Sequence, residues 1–121
     1  MLVHHLLVIN ARVKDPPTDP VYIKAWKEKL VSDIGMKILD GPHAMYHDMP
    51  GNRGLTAVTI IETSHIALHV WDEDEPGLLR LDVYSCAEFK IDTILEAIQE
   101  FNPTLIDYKF LDRTGDFILP S

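Results

Sequence analysis

Ser64-His65-Ile66-Ala67-Leu68-His69-Val70-Trp71 and, beyond an acidic turn, Leu79-Arg80-Leu81-Asp82-Val83-Tyr84-Ser85-Cys86 decide the architecture of this chain. In both stretches the side chains alternate between two kinds of surroundings, the period-two pattern of a half-buried strand. Ile66, Leu68 and Val70 share one face, and His65, His69 and Trp71 the other. In the second stretch Leu79, Leu81, Val83 and Ser85 point one way while Arg80, Asp82, Tyr84 and Cys86 point the opposite way. Asp72-Glu73-Asp74-Glu75-Pro76-Gly77 between them is dense in turn formers, so the two strands form an antiparallel hairpin. The expected register sets Cys86 across from His65 and next to Ser64. A slip of two residues preserves the faces, whereas a slip of one inverts them.

Before this hairpin, Leu55–Glu62 is rich in β-branched residues and reads as a strand, preceded by the loop Asp48–Gly54 and an extended stretch from Met36 to His47. A strand is expected from about His4 to Val13. Asp19 is a suitable N-cap, Pro20 fits the first helical position, and Ile23, Trp26, Leu30 and Ile34 recur at helical spacing up to Gly35. Trp26 is therefore assigned to the core. A second helix is expected over Asp92–Phe101 with Ile91, Ile94, Leu95 and Ile98 on its apolar face, and Leu105–Leu111 as a last strand. Strands joined partly by hairpins, with two helices, predict an α+β two-layer sandwich: an antiparallel sheet with helices Pro20–Ile34 and Asp92–Phe101 on one face. The 121 residues suit a single domain.

A net charge of −8 with no basic cluster argues against a nucleic-acid partner and suits a cationic small ligand. The lone Cys86 excludes an intrachain disulfide. Met1–Leu7 lacks the features of a signal peptide and no apolar run reaches membrane-spanning length, so a cytoplasmic location without membrane contact is expected. His65 and His69, four apart on a strand, stand about 13 Å apart and cannot chelate one zinc, so no metal is expected.

A hydroxyl, an imidazole and a thiol gathered on neighbouring strands (Ser64, His69, Cys86) are the parts nucleophilic chemistry requires. The run Glu62-Thr63-Ser64-His65-Ile66-Ala67-Leu68-His69-Val70-Trp71-Asp72-Glu73, with Leu81-Asp82-Val83-Tyr84-Ser85-Cys86 after it and His5-Leu6-Leu7 near the start, resembles the signature of the short prokaryotic S-adenosylmethionine decarboxylases. The resemblance implies self-cleavage between Thr63 and Ser64, Ser64 attacking the Thr63 carbonyl and becoming a covalent pyruvoyl cofactor. That group acts as the electron sink that pyridoxal phosphate supplies elsewhere. It further implies that His69 promotes processing, that Thr56 helps hold the processing centre, that Cys86 donates a proton in decarboxylation, and that Glu73 and Trp71 bind substrate. S-adenosylmethionine as substrate, spermidine synthesis as destination and a homodimer complete the expectation.

Thr63 stands where the family has glutamate, Val70 and Asp72 where it has Thr and Pro, and Met49 where it tends to place an aromatic. Two alternatives accompany this reading. One is a non-cleaving homologue that binds a small cation or a partner chain; the other is a pyruvoyl decarboxylase of another amino acid, such as ornithine or arginine.

Overall fold

The computed structural model describes residues 2–116. The elements run β1 (His5–Val13), α1 (Pro20–Asp33), β2 (Ile38–His47), β3 (Gly54–Ile61), β4 (Ser64–Trp71), β5 (Gly77–Ser85), α2 (Ile91–Ala97), a 3₁₀ turn (Gln99–Phe101) and β6 (Pro103–Asp112). The six strands form one sheet of order β2-β3-β4-β5-β1-β6, antiparallel throughout. This is the expected α+β layering, with one difference in the helices. The second helix stops at Ala97 and finishes as a 3₁₀ turn, because Asn102 takes a left-handed φ of 53° and Pro103 follows as the first residue of β6.

The core lies between the helices and one sheet face. Ile66, Leu68 and Val70 of β4 and Leu79, Leu81 and Val83 of β5 are buried there, against Ile23, Trp26, Leu30 and Val31 of α1 and Ile94 and Ile98 beside α2. The Asp19 carboxylate caps α1 by accepting from the Val21 amide at 2.9 Å. Trp26 is core as expected, and its indole N–H donates to the Ala97 carbonyl at 3.0 Å, tying the two helices together. Lys27, on the same stripe, is fully buried; its Nζ donates to the Ile66 carbonyl at 2.5 Å and to Thr59 Oγ1 at 3.3 Å.

The opposite face has no helix over it. Met45, Val58 and Ile60 are exposed there, 76%, 38% and 44% respectively, an apolar patch on β2 and β3. The register of the central hairpin differs from the expected one by two residues: Ser64 pairs with Ser85 and His65 with Tyr84, so Cys86 comes level with Thr63 rather than His65. The assignment of faces survives, since a shift of two is a full period. Among the described residues no helix is long and apolar enough to cross a membrane.

Candidate active site

Glu62 and Thr63 form the two-residue turn between β3 and β4, closed by the pair Ile61–Ser64. Hairpins of this length favour turns with positive φ at their central residues, usually Asn or Gly, to match strand twist. Glu62 and Thr63 are neither, and the only described non-glycine residues with positive φ are Ser64, at 148°, and Asn102. The unfavourable backbone conformation therefore falls on the residue immediately after the turn. The Thr63 carbonyl accepts a 2.8 Å hydrogen bond from the Cys86 backbone N–H, while Thr63 Oγ1 donates to the Met36 sulfur at 3.1 Å. Ser64 Oγ stands 3.4 Å from His65 Nδ1.

His69 is elsewhere. It pairs with Thr56 across β3 and β4, its Nδ1 3.4 Å from Thr56 Oγ1, and its ring stacks on Trp71 with centroids 6.1 Å apart. Five residues of extended strand put it about 16 Å from Ser64. The expectation of one cluster holding Ser64, His69 and Cys86 is thus corrected within a single chain. Thr63, Ser64 and Cys86 gather at one end of β4, while Thr56, His69, Trp71 and Glu73 gather at the other.

This second group is built around the Asp48–Gly54 loop. Glu73 Oε1 accepts from the Gly51 and Arg53 amides at 2.8 and 3.0 Å, and the Trp71 indole N–H donates to Asn52 Oδ1 at 2.9 Å. The Tyr46 hydroxyl donates to Asp72 Oδ2 at 2.7 Å, and this bond pushes the phenol pKa up to about 12. Only glycine fits at 54, where a Cβ would stand 1.7 Å from the Val70 carbonyl oxygen. Trp71, Glu73, Leu78 and Arg80 line a groove of about 340 Å³, and the Arg80 guanidinium sits 5.9 Å from the Trp71 ring centroid. A larger cavity, about 590 Å³, holds none of the predicted site residues; His5, Phe89 and Phe110 line it on the helix side of the sheet.

A family model for S-adenosylmethionine decarboxylase matches residues 5–114. The chain belongs to the S-adenosylmethionine decarboxylase family. Among its relatives, the S-adenosylmethionine decarboxylase proenzyme of Archaeoglobus fulgidus is 31% identical over 94 residues, covering 72% of this chain and 81% of that one. The proenzyme of a Sulfurihydrogenibium species is 36% identical over 62 residues, half of this chain and 45% of the relative. The crystal structure of the adenosylmethionine decarboxylase from Aquifex aeolicus superposes with a TM-score of 0.70 at 22% identity, over 99% of this chain and 98% of that one, a likeness of fold. In this family member two contacts escaped sequence reading. Strand alternation sets Ser64 and His65 on opposite faces and so hides their contact. The Cys86 amide hides because any residue at that position carries the same N–H. The buried Lys27 did leave a signal, a lone cation in the apolar stripe of α1 four residues after Ile23.

Proposed function

We propose that this chain is a self-cleaving proenzyme of pyruvoyl-dependent S-adenosylmethionine decarboxylation, feeding spermidine synthesis as a homodimer. The observation that carries the reading is the state of the Thr63–Ser64 peptide. Its carbonyl already accepts a hydrogen bond at 2.8 Å from the Cys86 N–H, a fixed donor of the kind that stabilises an oxyanion. Its serine sits at a φ of 148°, a conformation that breaking the bond relieves.

A carbonyl, a hydroxyl and an oriented amide at one turn fit the generation of a pyruvoyl group at Ser64. Once formed, that group supplies the electron sink for loss of carbon dioxide. Cys86, whose backbone is level with the turn, would deliver a proton there through its thiol. Glu73 and Trp71 would bind the substrate's sugar and base beside Arg80, with Glu73 also holding the loop through its amides.

The two half-sites favour the homodimer. Seven residues of β4 separate Ser64 from Trp71, about 23 Å, so one chain's substrate groove does not reach its own Ser64. A two-fold axis lying between two facing sheets and running across their strands reverses strand direction. It sets the Thr56–His69–Glu73 end of one copy over the Ser64–Cys86 end of the other. The exposed Met45, Val58 and Ile60 are the apolar surface such a contact covers.

Intact mass spectrometry tests the reading. Cleavage after Thr63 divides the 121-residue chain in two and leaves the second piece with a pyruvoyl end. Ser64→Ala is expected to remain whole. Cys86→Ala keeps the backbone N–H, so cleavage should proceed within about twofold of the wild-type rate while decarboxylation falls roughly 100-fold or more. A wild-type chain that stays whole through long incubation favours a non-cleaving ligand-binding homologue instead. Cleavage with carbon dioxide release from ornithine or arginine alone would move the substrate.

A further inference from the structure

The processing roles so far assigned leave out His65, yet among the described residues its imidazole is the one within hydrogen-bonding reach of Ser64, 3.4 Å from Nδ1 to Oγ. Consecutive side chains of a regular strand point to opposite faces. Contact between neighbours therefore needs a departure from extended geometry, and the φ of 148° at Ser64 is that departure. The His65 ring is also oriented. It meets the Tyr84 ring edge-on, with centroids 5.7 Å apart and planes inclined at 60°. Tyr84 in turn has the Arg113 guanidinium 4.9 Å from its ring centroid and its hydroxyl 3.5 Å from His4 Nδ1. In the same peptide the Cys86 N–H holds the Thr63 carbonyl. Nucleophile, adjacent base and oxyanion donor thus converge on one bond within one chain.

We infer that His65 is the general base of the acyl shift in each protomer. Its neutral Nδ1 takes the Ser64 hydroxyl proton as Oγ bonds to the Thr63 carbonyl carbon, and the negative charge develops on the oxygen held by Cys86. The imidazolium then gives that proton to the Ser64 nitrogen as the carbon–nitrogen bond breaks. The product is an ester with a free amine at residue 64, with no net gain or loss of protons or electrons. This step rests on the self-cleavage reading and deepens it. It leaves His69 of the partner subunit the later step, removal of the Ser64 α-hydrogen as the Thr63 carboxylate departs.

Precursor made by cell-free translation and followed by intact mass gives the rate of the shift. His65→Gln is expected to slow formation of hydroxylamine-releasable ester about 100-fold or more. Added imidazole should restore part of the rate in His65→Ala, which a merely unfolded chain would not allow. His69→Gln should reach the ester at close to the wild-type rate and stall there. Ester formation at wild-type speed in His65→Gln overturns the assignment, as does an equal block in His69→Gln with none in His65→Gln. A small fluorophosphonate, which labels base-activated serines, separates this inference from the one beneath it. If wild-type chain never cleaves but is labelled at Ser64, and His65→Gln is not, the base assignment stands and self-cleavage falls. Neither cleavage nor labelling in the wild type overturns both.

Discussion

Ser64 follows a turn whose central residues, Glu62 and Thr63, cannot easily take up the twist mismatch, so its own backbone does so at a φ of 148°. Holding a side-chain-bearing residue there costs about 1–3 kcal/mol. The prediction concerns two variants that lack the hydroxyl and so stay whole. Ser64→Gly should be more stable than Ser64→Ala by about 1 kcal/mol, after glycine's larger entropy loss is subtracted. Equal urea midpoints for the two would mean that the peptide stores no strain. Sequence reading reached Ser64 and Thr63 through the motif around them, but not the backbone conformation that Ser64 adopts. The φ follows from closing the turn, which depends on where Ile61 and Ser64 pair.

Helix α1 meets the sheet through an apolar stripe interrupted by Lys27, and the two elements are pinned where Nζ donates to the Ile66 carbonyl and to Thr59. Burial without a carboxylate partner brings the ammonium pKa down from 10.5 to about 7. Between those two values the unfolded chain binds more protons at this site than the folded one. The sign is therefore positive: stability rises with pH across that window, by up to about 1.4 kcal/mol per pH unit. Below about pH 7 the folded chain must hold a buried cation, and this contribution is at its least favourable. Lys27→Met, measured in urea on the Ser64→Ala background, should exceed its lysine parent in stability near pH 6. The advantage should shrink steadily towards about pH 10. A difference that stays constant over that range would show that the amine is not titrating in the core.

The whole molecule has one covered and one bare sheet face, with the two halves of the candidate site at opposite ends of β4. Placing glutamate at 58 puts a charge in the middle of the exposed patch, between Met45 and Ile60. Val58→Glu should therefore sediment as a monomer at micromolar concentration while keeping the far-ultraviolet circular dichroism of the parent. Because Ser64 and His65 share a chain, the monomer should still form the ester, then fail to convert it without His69 of the partner subunit. A wild-type chain that is itself monomeric, or a Val58→Glu chain that remains dimeric, counts against the facing-sheet arrangement.

Periodicity by itself determined the places of the strands to within about two residues at each end, the two helical stripes and the faces of β4 and β5. Those depend on neighbours two to four residues away, and burial of one face selects the pattern directly. Tertiary structure alone decided the register that brings Cys86 level with Thr63, since shifts of two residues leave every face unchanged. It also decided that His69 pairs with Thr56 rather than serving Ser64 in its own chain. A strand shows which residues share a side, but it also spaces them about 3.3 Å apart per position. Five positions were enough to turn one expected cluster into two.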